Sequence, residues 1–181
     1  MIEPQKLDSI LKQIISRWGV PGLAVGIVQD GEIAYERYLG VQSLDTLAPV
    51  TADSVFCIAS ITKIFVASAV MQLVETGKVE LDAPVARYLP YFRLDDPLYT
   101  AMTIRQMLSH TSGMPDMEES AYDELVAHPE FDAGAPERYV RNLSGLKLAH
   151  APGERFLYSN IAYNVLGDLI AKVSGQTFED Y

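Results

Sequence analysis

Apolar and polar positions follow two different periods in the first 58 residues. Five apolar residues over 7–17 recur at helical spacing, which predicts an amphipathic helix. Two β-rich runs follow at 22–29 and 32–40, separated by Asp30-Gly31, a dipeptide typical of tight hairpin turns. This part of the chain therefore predicts one helix and two antiparallel strands.

Helical patterns dominate the rest of the chain. Residues 60–76 are apolar nearly all round before Gly77, which is typical of a buried helix. A short helix is predicted after Asp82, which reads as an N-cap, and others over 103–110, 117–128 and 135–145. A longer helix is predicted from Ser159 or Asn160 to Gly175. Residues 177–180 are predicted to begin one more helix.

The order of these elements predicts an α+β fold, with an antiparallel sheet and packed helices followed by a largely helical region. The two strands have few later strand candidates to pair with, and an isolated hairpin is marginal in water. Either the chain is a fragment of a longer protein, or a complementing chain or self-association supplies the missing strands.

Composition narrows the classes of function. The formal net charge is −10, and no local cluster of Lys and Arg would bind phosphates, so we expect no nucleic-acid partner. Cys57 is the only cysteine, so an internal disulfide is excluded. We expect neither a metal ion nor a cofactor.

The termini and the hydropathy profile predict the location. The first 13 residues carry no apolar stretch of the signal-peptide type, and no apolar run reaches the length of a membrane span. The sequence as written predicts a cytoplasmic product without a membrane span. A periplasmic or secreted location stays open if a native signal peptide has been removed.

The motif S-x-x-K occurs three times, as Ser9/Lys12, Ser60/Lys63 and Ser144/Lys147. The first and third pairs lie on or beside amphipathic surface segments, where solvation explains them. Only the second pair opens a helix that is predicted to be buried. The context therefore selects Ser60 and Lys63 as candidates for chemistry.

A lysine is unfavourable at the start of a buried helix. The third position after an N-terminal Ser usually holds Glu or Gln, whereas a cation there opposes the helix dipole and loses hydration. Both effects favour the neutral amine, which could accept the proton of the Ser60 hydroxyl one turn away. The alternative is that Ser60 only caps the helix and Lys63 extends to water.

A second candidate element lies around Tyr158. A Pro152-Gly153 turn precedes it, and Asn160 follows at the start of an amphipathic helix. Tyr158 could point into a cleft, although a half-buried tyrosine with a satisfied hydroxyl would explain it equally well.

Four segments in order resemble the serine β-lactamase and penicillin-binding protein superfamily, on the branch of class C β-lactamases, D-aminopeptidases and carboxylesterases. The segment 56–63 (FCIASITK) is similar to the nucleophile box and 73–85 to the exit of the helix that follows it. The segment 107–113 (MLSHTSG) is similar to a Leu-Leu-x-His-Thr-Ser-Gly stretch, and 152–160 to the Tyr-x-Asn box with its lead-in.

The resemblance implies a serine hydrolase that cleaves an ester, amide or β-lactam bond in a small-molecule or peptide substrate. Ser60 would form the acyl-enzyme, Lys63 would take its proton, and Tyr158 would relay the proton to the leaving group. Asn160 would bind Lys63 or the substrate, and we expect His110 to be a structural hydrogen-bonding residue. The alternative is a catalytically silent chain that binds a ligand or a protein.

The third box of the superfamily, Lys or His followed by Ser or Thr and Gly on a late strand, is missing. Lys172-Val173-Ser174-Gly175 cannot replace it, because it lies at the end of a predicted helix. We therefore interpret residues 1–181 as the N-terminal portion of one catalytic domain. Residues 1–58 would belong to its α/β part, and residues 59–181 to its mostly helical part.

Overall fold

The computed structural model describes residues 3–181. The chain packs as two compact units, one ending at Cys57 and the other running from Ile58 to Tyr181. The first unit contains helix α1 (Pro4–Trp18) and strands β1 (Gly22–Gln29) and β2 (Glu32–Gly40).

The two strands form an antiparallel hairpin, as predicted. Their register runs from Gly22 opposite Gly40 to Gln29 opposite Glu32. Asp30 and Gly31 both have positive φ, 53° and 83°, as a type I′ turn requires.

Helix α1 is joined to this hairpin through one carboxylate. Asp8 accepts hydrogen bonds from the Tyr35 hydroxyl at 2.7 Å and from Arg37 Nε at 2.8 Å. The side chain of Tyr35 is buried, so the contact fixes the helix against one face of the sheet.

The second unit is helical. Its α-helices are α2 (Thr62–Glu75), α3 (Ile104–Leu108), α4 (Glu119–Ala127), α5 (Ala135–Asn142) and α6 (Asn160–Ser174). Short 3-10 helices lie at Ala59–Ile61, Val85–Arg87, Pro97–Ala101 and Leu143–Gly145. The hairpin and these helices confirm the predicted α+β class.

Helix α6 is the centre of the second unit, because α2, α3 and α5 all contact it. The largest fully buried side chains around it include Leu73, Phe92, Met107, Leu166 and Leu169. The sequence specifies both ends of α6. The Ser159 hydroxyl accepts the N–H of Ala162 at 3.1 Å, and Gly175 ends the helix with φ of 76°.

Helix α2 differs from its prediction. It was expected to be buried all round, but only one stripe is buried, formed by Val66, Val70 and Leu73. The opposite side exposes Ile64 by 65% and Phe65 by 63%. An apolar sequence shows that no face of the helix prefers water, but it does not show which faces find a partner. The other residues of the second unit leave this face uncovered.

Two smaller predictions are wrong. Asp82 does not cap a helix; its carboxylate takes a bidentate pair of hydrogen bonds from Arg105 at 2.7 and 2.9 Å. Pro84 is in an extended conformation, so the 3-10 helix begins only at Val85. Residues 178–180 form a turn instead of a helix, and the Thr177 hydroxyl donates to Asp180 across it at 2.8 Å.

No helix within 3–181 has both the length and the apolar character of a membrane span.

Candidate active site

Ser60 lies in the 3-10 turn that leads into α2. Its hydroxyl does not cap the helix. It instead forms a hydrogen bond with the Tyr158 hydroxyl at 2.6 Å and accepts one from Lys63 Nζ at 3.3 Å. The side chain of Ser60 is exposed, so a substrate could reach its hydroxyl.

The residue before this serine has an unusual backbone conformation. Ala59 has φ of 45°, in the left-handed region that L-residues with a Cβ rarely adopt. Such conformations persist where the surrounding structure fixes them, and they cluster at functional sites. Here the turn brings Ser60 onto the same side of α2 as Lys63.

Lys63 is directed towards Asn160. Its Nζ donates a 2.6 Å hydrogen bond to Asn160 Oδ1, and the residue is partly buried. It also lies 4.9 Å from the ring centroid of Tyr158 and 5.5 Å from that of Tyr163. The structure therefore brings together the four residues that the sequence selected.

The other two S-x-x-K pairs behave as surface residues. The Ser9 hydroxyl donates to the Gln5 carbonyl at 3.0 Å within α1. Lys147 is exposed and lies 3.7 Å from Asp95. Within 3–181, only the pair at 60 and 63 makes a direct serine–lysine hydrogen bond.

His110 supports the segment that carries Tyr158. Its carbonyl accepts the N–H of Leu157 at 2.8 Å, and its Nδ1 accepts the N–H of Ser159 at 3.2 Å. Its ring stacks on that of Tyr158 with centroids 4.5 Å apart. His110 is thus a hydrogen-bond acceptor and a packing surface for the tyrosine.

The hydrogen bond to Nδ1 requires that this nitrogen carry no proton. Burial, and then the positive charge of Lys63, lower the pKa of His110 against an opposing contribution from Asp116. The neutral imidazole is therefore favoured, and His110 keeps its bond to Ser159 near neutral pH.

The environment of Tyr158 makes its hydroxyl easier to ionise than that of a free tyrosine. Burial alone would raise the pKa of Tyr158, but interactions with Lys63 and Ser60 and the charge of Lys63 together outweigh it and lower the pKa. A tyrosine with a lowered pKa beside a serine hydroxyl can exchange a proton with it.

Asp116 is the residue of this region that the sequence did not single out. Its Oδ1 accepts the backbone N–H of Asn160 at 2.8 Å and the side-chain Nδ2 of Asn160 at 3.0 Å. Next to it, the Pro115 carbonyl accepts the Ser159 hydroxyl at 2.9 Å. The segment 110–116 therefore binds 157–160 by several main-chain contacts.

A groove of about 790 Å³ lies beside this cluster, along the exposed side of α2. Its lining includes Lys63, Ile64, Met71 and Tyr163. Ser60 and Tyr158 do not line it. The groove is thus part of the uncovered face of α2 rather than a cleft centred on the serine.

Within residues 3–181, no group of three or more His, Cys, Asp or Glu side chains is placed to hold a metal ion. What the arrangement offers is a nucleophile in contact with two groups that can accept or donate a proton.

Known proteins are similar to this chain along most of its length. A family model described as Beta-lactamase matches residues 7–181. Esterase EstB of Burkholderia gladioli is 35% identical over an alignment of 182 positions. The alignment covers 94% of this chain and 45% of EstB.

Two solved structures are similar along nearly the whole chain. The octameric penicillin-binding protein homologue from Pyrococcus abyssi is 32% identical with a TM-score of 0.83, over 99% of this chain and 41% of its own. EstCE1, described as a hydrolase with promiscuous acyltransferase activity, is 27% identical with a TM-score of 0.82, over 97% and 48%. The chain thus spans less than half the length of each of these proteins.

Proposed function

The chain belongs to the beta-lactamase family, and we propose that it is the nucleophile-bearing part of a serine hydrolase that forms a covalent acyl-enzyme on Ser60. The observation that carries this proposal is the pair of contacts to the Ser60 hydroxyl, from Tyr158 Oη at 2.6 Å and Lys63 Nζ at 3.3 Å. A serine becomes a nucleophile when a proton acceptor lies within hydrogen-bond reach. In this proposal, residues 1–58 and 59–181 are parts of one catalytic domain.

The reaction has two steps. Ser60 Oγ attacks the carbonyl carbon, Lys63 as a neutral amine takes the hydroxyl proton, and the protonated Tyr158 gives its own proton to the departing alcohol or amine as the bond to the carbonyl breaks. Water then attacks the acyl-enzyme and gives a proton back to Ser60 through the same two residues. The Ser60 N–H near the start of α2 supplies one donor to the carbonyl oxygen as it gains negative charge.

Tyr158 can also accept the serine proton directly. Its contact with Ser60 is the shorter of the two, and its pKa is lowered. In that variant Lys63 stabilises the phenolate through its charge, and the proton reaches the leaving group from the same tyrosine.

The substrate we propose is a small molecule or peptide that contains an ester, amide or β-lactam bond. Among these three bonds, the names of the relatives favour the ester. EstB is named an esterase, and EstCE1 a hydrolase with acyltransferase activity. Hydrolysis of p-nitrophenyl esters, compared with acylation by a fluorescent penicillin, distinguishes these classes.

We also propose that further polypeptide covers the outer side of α2. The exposed side chains of Ile61, Ile64, Phe65 and Met71 form a continuous apolar surface beside the site. Relatives are more than twice as long as the part of them that this chain matches, and the Pyrococcus protein is octameric. A later segment or a second copy is the occupant that fits both facts.

The test is covalent labelling of the complete protein with a fluorophosphonate, followed by peptide mass analysis. We expect one adduct, on Ser60, which is absent in Ser60→Ala. Ser144→Ala is the matched control, because it removes a serine with the same S-x-x-K spacing and should label normally. A folded protein without an adduct would contradict the proposal and favour a silent binding module.

A further inference from the structure

We propose that Asp116 is a positioning residue of this site, which holds the Asn160 side-chain amide so that its oxygen faces Lys63. The inference rests on the proposed function, because the lysine it concerns is the one assigned to activate Ser60. Asp116 does not touch the serine and acts only through Asn160.

Three contacts tie the two residues together. Asp116 Oδ1 accepts the backbone N–H of Asn160 at 2.8 Å and its Nδ2 at 3.0 Å, and Asp116 Oδ2 lies 3.3 Å from the same Nδ2. Oδ1 also accepts the N–H of Met117 at 2.8 Å, which fixes the carboxylate against its own backbone. The backbone of Asp116–Met117 therefore fixes the orientation of the carboxylate that binds the Asn160 amide.

The chemistry of the two neighbours allows only one orientation of this amide. An ionised carboxylate can only accept hydrogen bonds and an ammonium can only donate them. With Nδ2 towards Asp116, Asn160 Oδ1 receives the 2.6 Å bond from Lys63. A flipped amide would place its oxygen against a carboxylate that has no proton to donate, and would remove the acceptor that Lys63 Nζ contacts, so both hydrogen bonds would be lost.

This orientation assigns the two ends of the Asn160 side chain to different partners. Its oxygen accepts from Lys63, and one of its two Nδ2 hydrogens is directed at Asp116, while the second stays available. Of the two roles that the sequence left open, the contact with Lys63 is the one present in the structure.

A purely structural role has to be separated from this one. A carboxylate at the first N–H groups of α6 also stabilises the helix through its dipole. Helix stabilisation alone would change the melting temperature but not the chemistry at Ser60. Asp116 does reach the site electrostatically, since its charge acts to raise the pKa of both Tyr158 and His110.

The experiment compares Asp116→Ala and Asp116→Asn with the wild-type complete protein. The control is Glu118→Gln, which removes a nearby exposed charge. The rate of Ser60 acylation by a fluorophosphonate is measured against probe concentration and pH. In Asp116→Ala the maximal rate should fall by at least about 10-fold with unchanged probe affinity, because the misplaced lysine affects only the chemical step.

Asp116→Asn should behave differently. Its carbonyl oxygen can replace Oδ1 as acceptor for Asn160, so most of the rate is kept while the charge is lost. The acidic limb of the pH profile then moves to lower pH, since the removed charge raised the pKa of Tyr158 and His110. This shift should shrink in high salt. If Asp116→Ala does not fold, the side-chain NH₂ signals of Asn160 in Asp116→Asn decide: signals that move support the inference, and unchanged signals overturn it.

A second readout keeps the inference separate from the proposed function. The side-chain NH₂ signals of Asn160, assigned by their loss in Asn160→Ala, should move in Asp116→Ala and stay in Glu118→Gln. If wild type is not acylated, the proposed function fails, and the NMR comparison still tests the contact. Unchanged Asn160 signals, a wild-type rate in Asp116→Ala, or an equal loss in Glu118→Gln would overturn the positioning role.

Discussion

The backbone N–H of Ser159 donates its hydrogen bond to Nδ1 of His110, 49 residues earlier in the chain, over 3.2 Å. The His110 ring stacks on the ring of Tyr158. The hydrogen bond from Ser159 exists only while Nδ1 carries no proton, so the structure here depends on the protonation state of His110.

We expect this contact to weaken in acid. The pKa of His110 is lowered in the folded protein, so its neutral form stabilises the fold above its unfolded pKa. That contribution is lost as the pH falls through the lower folded pKa. His110→Asn keeps an acceptor, tolerates the positive φ of 55° at this position, and does not titrate.

Thermal unfolding between pH 7 and pH 4 measures this effect. The melting temperature of His110→Asn should fall less steeply than that of wild type. His128→Asn, at an exposed histidine on the end of α4, should follow the wild-type curve. Parallel curves for all three proteins would contradict the prediction.

Lys63→Met should abolish acylation without unfolding the protein. The methionine fills a similar volume and removes a partly buried cation, so the fold is retained while Ser60 loses its base. Labelling and circular dichroism measure the two effects separately. Lys147→Met, at the same spacing from Ser144, is the control and should label fully. A wild-type labelling rate in Lys63→Met would leave Tyr158 as the sole acceptor.

We expect the protein to become more stable when the negative charge of Asp168 is removed. It is 4% exposed, and burial raises its pKa while the hydrogen bond from the Tyr91 hydroxyl at 2.8 Å opposes this. A raised pKa means that the contribution of Asp168 to stability is present at low pH and lost as the pH rises through the folded value.

Asp168→Asn keeps an acceptor for Tyr91 and should raise the melting temperature at pH 7, with the difference shrinking towards pH 4. Asp123→Asn, on the exposed side of α4, serves as the control and should change little. A lower melting temperature of Asp168→Asn at pH 7 would show that the charged form is favourable.

The uncovered side of α2 gives a prediction for the complete protein. If further polypeptide covers it there, Phe65→Gln should lower the free energy of unfolding by about 2 kcal/mol or more, because a buried aromatic side chain is lost. Leu98→Gln, at an equally apolar but separate exposed position, should change it by less than about 0.5 kcal/mol. Chemical denaturation measures the free energy of unfolding of both variants. Equally small changes in the two variants would mean that no polypeptide covers this side of α2.

Local signals in the sequence predicted the elements with strong end residues. Asp30-Gly31 turned the hairpin, and Ser159 with Gly175 delimited α6, because each acts on its own backbone. The family is confirmed as well, since four spaced segments carried it. The helix N-cap predicted at Asp82 is wrong because the carboxylate binds the guanidinium of Arg105, 23 residues away.

Contacts between distant segments could not be predicted in this way. Asp116 lies in a loop without a motif, and its partner Asn160 is 44 residues later. Nothing in the periodicity of one sequence registers such a pair. The exposure of α2 escaped prediction for a related reason, because hydrophobicity describes the helix and not its neighbours.

The contacts between 110–116 and 157–160 have a consequence for how such a protein can diversify. They lie within one compact unit and depend on main-chain atoms and on three side chains, those of His110, Asp116 and Ser159. The relative placement of Tyr158 and Asn160 therefore tolerates side-chain changes at the other positions nearby. In the proposed enzyme, selection for a new substrate could then act on the surrounding walls while the reacting groups stay in place.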